Sequence, residues 1–130
     1  MILIVGGAFQ GKTNYAVSRF SLSHSDVARG SECRLSDVLS ARCVADYHQL
    51  VRRLLSEGSD PLIFTEQLCA ENEAAVVIMD EIGCGVIPLE KSERIWREAV
   101  GRCGCMLAER ADIVIRMICG IPTVIKGELP

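Results

Sequence analysis

The segment Gly6-Gly7-Ala8-Phe9-Gln10-Gly11-Lys12-Thr13, directly after Ile2-Leu3-Ile4-Val5, constrains this chain more than any other. The spacing is G-x-x-x-x-G-K-[ST]. The short apolar run reads as a buried strand, and the glycines end it. A helix is predicted from about Gly11 to about Leu22, with Ala16, Val17 and Phe20 facing inward. A strand that turns through glycines into a helix aims backbone N–H groups and the positive helix end at one point. Dense negative charge fits that point, as in a triphosphate. Lys12 is placed to reach the β and γ phosphates, and the Thr13 hydroxyl to ligate Mg²⁺. Gly6, Gly7, Ala8, Phe9, Gln10, Gly11, Lys12 and Thr13 are therefore the expected nucleotide-binding residues, with ATP or GTP as substrate and Mg²⁺ as cofactor.

The rest of the chain must supply a sheet to carry this loop. Its 130 residues predict one domain over 1–130. Apolar residues make up 49% and aromatics 5%, so Val, Ile, Leu and Ala fill the core, as in parallel sheets covered by helices. A net charge of −3 gives no general attraction to nucleic acid, which is excluded as a partner. The seven cysteines are odd in number and form no CxxC pair, which predicts reduced, mostly buried thiols. Met1 to Val5 is too short for a signal-peptide core, and no stretch reaches the ~18 apolar residues of a membrane span, so a cytoplasmic protein is expected.

Along the chain, residues 23–40 read as a loop and Arg42 to Ala45 as a short strand. Tyr47, Leu50, Val51, Leu54 and Leu55 fall at helical spacing, and Gly58 stops that helix. Asp60-Pro61 starts another, with Asp as N-cap and Pro in the first turn. Ala74 to Met79 is a second buried strand, and Gly83 to Pro88 a loop. Ser92 to Arg110 is a long helix with Ile95, Ala99, Cys103 and Leu107 in line. Ile113 to Ile118 is a strand, Gly120 and Pro122 mark a turn, and Thr123 to Lys126 pairs back. Strands alternating with helices imply right-handed crossovers. The expected class is α/β, P-loop NTPase-like, with a mainly parallel sheet flanked by helices.

Asp80 and Glu81 end the second buried strand, where ligands bind in open α/β sheets. One carboxylate can hold Mg²⁺ and the other orient a nucleophile; Asp46, after the weaker strand, is an alternative Mg²⁺ carboxylate.

The second half carries a resemblance. Asp80-Glu81-Ile82-Gly83-Cys84-Gly85-Val86-Ile87-Pro88 is followed by Arg94-Ile95-Trp96-Arg97-Glu98-Ala99-Val100-Gly101-Arg102, Leu107-Ala108, Ala111-Asp112 and Cys119-Gly120-Ile121. Together with the G-G-A opening of the loop, this pattern resembles the adenosylcobinamide kinase / adenosylcobinamide-phosphate guanylyltransferase family of cobalamin biosynthesis. The resemblance implies phosphorylation of the aminopropanol hydroxyl of adenosylcobinamide, then GMP transfer through a covalent histidine, in a homo-oligomer, typically a trimer. It implies Lys12, Glu81 and Asp80 as catalytic residues, with Asp80 standing where the family has asparagine. Gly83, Gly85, Arg94, Arg97 and Arg102 become candidates for substrate or transition-state contact. The alternative for the arginines is surface pairing with Glu93, Glu98 and Glu109. Residues 21–73 are too few for the family's extra strand, helix and histidine, and neither His24 nor His48 matches that histidine. Both histidines are expected on a surface or helix face, and guanylyl transfer to be lost or weak. Two rival readings stay open: a nucleotide-binding relative without transferase activity, and a kinase of another small alcohol.

Overall fold

The computed structural model describes residues 1–130. The strands are β1 (Ile2–Gly6), β2 (Val27–Arg29), β3 (Cys43–Ala45), β4 (Val76–Asp80), β5 (Ile113–Ile118) and β6 (Ile121–Lys126). The helices are α1 (Lys12–Arg19), α2 (Leu35–Val38), α3 (Tyr47–Ser56), α4 (Pro61–Glu71) and α5 (Lys91–Arg110). All strands join one six-stranded sheet in the order β2-β3-β4-β1-β5-β6. Every pairing is parallel except β5 with β6. The α/β class and the mainly parallel sheet are as expected.

β1 lies between β4 and β5, with Ile4 opposite Ile78 on one side and Ile115 on the other. Its continuous apolar run follows from burial on both faces. Leu3 packs with Val77 and Val114 beneath α3, α4 and α5. Ile4 packs with Ile78, Ile115 and Ala16 of α1 on the opposite face. Tyr47, Leu50, Val51 and Leu54 give α3 a fully buried stripe. Each aliphatic side chain there contributes about 1.5–3 kcal/mol. The α4 start matches expectation, because Asp60 Oδ1 accepts from the Leu62 N–H at 2.9 Å.

Several expectations need correction. The first helix ends at Arg19, not Leu22, and Ser21 takes a left-handed φ of 50° that no helix continues through. Residues 23–40 are not an unbroken loop: they hold a 3₁₀ turn at His24–Asp26, β2 and α2. β2 is a three-residue edge strand with a single partner, so it lacks the apolar run that reveals an inner strand. On α5 the buried line is Val100, Cys103 and Leu107 with Trp96 half-buried, while Ile95 is 44% exposed. The inward stripe therefore leaves Ile95 one residue off. The final strand begins at Ile121 and contains Pro122, which an outer strand tolerates. The thiols are not mostly buried: Cys43, Cys69 and Cys103 are, but Cys84, Cys105 and Cys119 are exposed. No helix is long and apolar enough to cross a membrane.

Candidate nucleotide and acceptor site

The glycine-rich loop sits at the carboxyl end of β1, and close packing dictates its composition. A Cβ on Gly6 would meet the Met117 carbonyl oxygen at 2.5 Å, so β5 permits only glycine there. Gly11, the residue before α1, has φ 84°, a left-handed angle that glycine adopts without steric cost. From behind, the β5–β6 turn grips the loop. The Cys119 N–H donates to Gln10 Oε1 at 2.5 Å and the Gly120 N–H to the Gln10 carbonyl at 3.1 Å. Phe9, at the tip, is wholly exposed with φ 58°.

Lys12 is buried, and its Nζ lies 2.7 Å from Asp80 Oδ1 and 2.6 Å from the Gly7 carbonyl. Asp80 thus stands at the loop in the position expected of a strand-end carboxylate. Ala8 to Asn14 form one wall of a cleft of about 520 Å³, and Arg29, Asp46, Ile78 and Asp80 complete it. The donors in this cleft fit Mg²⁺. That cation keeps several waters and takes one or two protein oxygens beside phosphate oxygens, and Thr13 and Asp80 bring a hydroxyl and a carboxylate to the same cleft. Asp46 also borders the cleft, at φ 55° before α3, but its Oδ2 is 3.2 Å from Arg29 Nη1.

Glu81 goes elsewhere. Its carboxylate lies 3.1 Å from the Arg116 guanidinium, on the α5 side of the sheet. It borders an apolar groove of about 460 Å³ between α5 and β5–β6, floored by Val5, Val114 and Ile125 and walled by Gly101, Gly104 and Ala108. The two carboxylates that adjoin in sequence therefore face different spaces, and Asp80 borders both.

The three helix arginines do not reach the cleft. Arg94 Nη1 donates to the Pro88 and Leu89 carbonyls at 3.0 and 2.6 Å, and Arg97 Nη1 to the Val86 carbonyl at 2.6 Å. They tie the loop that carries Gly83 and Gly85 to α5. Arg102 pairs with Glu98 at 2.6 Å, one helical turn away, as the surface reading had it. Arg97 and Gly83, both named from the sequence, line the apolar groove together with Arg116, and Arg29 and Asn14 line the cleft; Arg29, Arg116 and Asn14 are the residues beside the candidate site that the sequence reading does not name. Arg29 lies on β2, the short edge strand that carries no apolar run to mark it.

His24 is exposed and His48 lies on a face of α3, both within the expectation, but that face of α3 is turned inward. His48 is buried, and its Nδ1 accepts the Asp80 backbone N–H at 3.1 Å. Its Nε2 faces Asp80 Oδ2 at 3.5 Å. Burial holds the imidazole pKa below its ordinary value, against the opposing pull of the Asp80 and Asp46 carboxylates. A signal for this was present: His48 precedes Val51 by three residues and so shares the buried stripe of α3.

The model of the cobinamide kinase / cobinamide phosphate guanyltransferase family matches residues 48–125. The chain belongs to that family. The match covers α3 through β6, and so Asp80, Glu81 and the groove beneath α5, while the glycine-rich loop lies before it. Comparison with curated proteins gave no match. Family membership places the chain among the kinases and nucleotidyltransferases of cobalamin biosynthesis, with a nucleoside triphosphate and cobinamide as the family's ligands.

Proposed function

We propose that this chain is a nucleoside-triphosphate-dependent cobinamide kinase, with nucleotide in the cleft at Lys12 and acceptor in the groove at Glu81. The observation that carries the reading is the divided strand end: Asp80 meets Lys12, and Glu81 opens onto an apolar groove. The acceptor hydroxyl oxygen would attack the γ phosphorus, the bond to the β–γ bridging oxygen would break, and nucleoside diphosphate would leave. Glu81 would take the hydroxyl proton. Lys12 and the loop N–H groups would offset the charge on the transferred phosphoryl group. Mg²⁺, held by Thr13 and Asp80, would supply further charge neutralisation. The groove's apolar floor suits the body of a corrinoid, and Arg116 would fix the Glu81 carboxylate.

Guanylyl transfer needs a histidine nitrogen that can attack the α phosphorus. His48 has Nδ1 occupied by the Asp80 N–H and is buried, and His24 stands outside the cleft. These positions support a kinase without the second activity. The exposed β6, with Ile121 and Ile125 more than half exposed, supports the homo-oligomer that the resemblance implies. Light scattering on the purified chain is expected to give a multiple of 14.2 kDa, and a monomer at micromolar concentration would refute that part.

The deciding experiment is transfer of labelled γ-phosphate from ATP or GTP to adenosylcobinamide. Label is expected in the corrinoid, and Lys12→Ala is expected to reduce it about 10²–10³-fold. Tight nucleotide binding with no labelled corrinoid would overturn the kinase reading. Label in a different alcohol would then identify another acceptor, and none at all would leave a nucleotide-binding relative.

A further inference from the structure

Hydrogen-bond geometry at the end of β4 ties His48 to Asp80, which borders the cleft. Successive N–H groups of a strand point to alternate neighbours. The Glu81 N–H goes to the Gly6 carbonyl of β1 at 3.0 Å, so the Asp80 N–H points the opposite way, toward β3. β3 has ended at Ala45, and the chain has already turned into α3. An unpaired N–H there would be partly shielded from water, and a buried unpaired donor costs about 1–3 kcal/mol. His48 Nδ1 takes the place of the absent strand carbonyl. An N–H can donate only to an unprotonated ring nitrogen, so the imidazole proton is on Nε2, which faces Asp80 Oδ2.

His48 is itself held from α5. Trp96 Nε1 donates to the His48 carbonyl at 2.7 Å. The Arg52 guanidinium stacks 3.7 Å above the Trp96 ring and pairs with Glu93 through two contacts of 2.9 and 3.1 Å. The ring accepts from the main chain of Asp80 and stands 3.5 Å from its carboxylate, whose other oxygen holds Lys12.

We infer that His48 is a positioning residue for the nucleotide cleft: as the Nε2–H tautomer it substitutes for a missing strand partner and aims the Asp80 carboxylate at Lys12. The inference builds on the assignment of that cleft to nucleotide and is independent of the acceptor.

Its test uses the affinity of the whole chain for Mg²⁺ and methylanthraniloyl-GTP, which requires no corrinoid. Partners that orient a site residue from behind typically cost about 10–100-fold when removed. His48→Phe is expected to weaken binding about tenfold at unchanged fold, as judged by circular dichroism. His48→Asn, whose side-chain oxygen can accept the Asp80 N–H, is expected to stay within about threefold of wild type. In an Asp80→Asn background, His48→Phe is expected to add less than about threefold. Long-range proton–nitrogen spectra of the wild-type chain are expected to show the His48 proton on Nε2, a reading that survives even if a variant fails to fold. Equal loss in Phe and Asn variants, an undiminished loss in the Asp80→Asn background, or a proton on Nδ1 would each overturn the inference. Wild-type binding with no phosphate transfer to cobinamide would defeat the kinase proposal and leave this one standing.

Discussion

Asp80 and Glu81 are consecutive residues with unlike surroundings. β4 alternates along its length, with Val76 and Ile78 on the α1 face and Val77 and Met79 on the α3–α5 face. Continued past the strand, the same alternation sends one carboxylate to Lys12 and the other to Arg116. The cleft on the Asp80 side is polar and its lysine buried, while the groove on the Glu81 side is apolar and its surrounding loop exposed at Val86, Ile87 and Leu89. A period of two is enough to separate a carboxylate beside a lysine from a carboxylate beside an apolar groove.

The division of labour can be broken first at Glu81. Glu81→Gln keeps shape and removes the proposed base, so phosphate transfer is expected to drop about 10²-fold or more at unchanged nucleotide affinity. A parallel loss of nucleotide affinity, measured with the fluorescent analogue, would show that the two carboxylates do not divide the work. Next in size is Arg97→Ala, which releases the Val86 carbonyl and loosens the loop over the groove. The KM for cobinamide is expected to rise about threefold to tenfold while that for nucleotide stays put, since a charged hydrogen bond contributes about 1.5–3 kcal/mol and solvent replaces part of it. An unchanged KM for cobinamide would remove the loop from the acceptor site.

The smallest effect separates the two faces by titration. Burial raises the Cys43 thiol, on the α1 face, from 9.0 to about 11, and raises Cys103, on the α5 face, as well. Between pH 9 and 11 the unfolded chain loses the Cys43 proton and the folded chain keeps it. Stability therefore falls as pH rises through that window. Thermal melts from pH 8 to 11 are expected to show a shallower decline in Cys43→Ala than in Cys103→Ala, relative to wild type. Identical slopes in all three chains would exclude this source.

What the sequence reveals follows from what is local. β1, β4 and β5 are inner strands, covered on both faces, and they show as apolar runs. α3 and α5 show through periodicity, and the α4 start through Asp60-Pro61. The edge strand β2 pairs along one side only, so Val27–Arg29 carries no such mark. Within the candidate site, Lys12 and Asp80 are readable because motif and strand end each fix a place. His48 and Arg116 depend on which elements lie side by side, and that is a property of the strand order rather than of any short segment. The role of Arg94 and Arg97 was hidden for the same reason, since their partners are main-chain carbonyls.

The hydrogen bonds from Cys119 and Gly120 to Gln10 bear on how the chain is made. β1 ends in the centre of the sheet, between β4 and β5, and the loop after it is braced by a turn 109 residues later. At about 5–20 residues per second on the ribosome, the brace is translated roughly 5–20 s after the loop. During that interval Gly6 to Thr13 lack the neighbours that set their conformation. A nascent chain released early would carry the whole glycine-rich loop and still lack the turn that braces it.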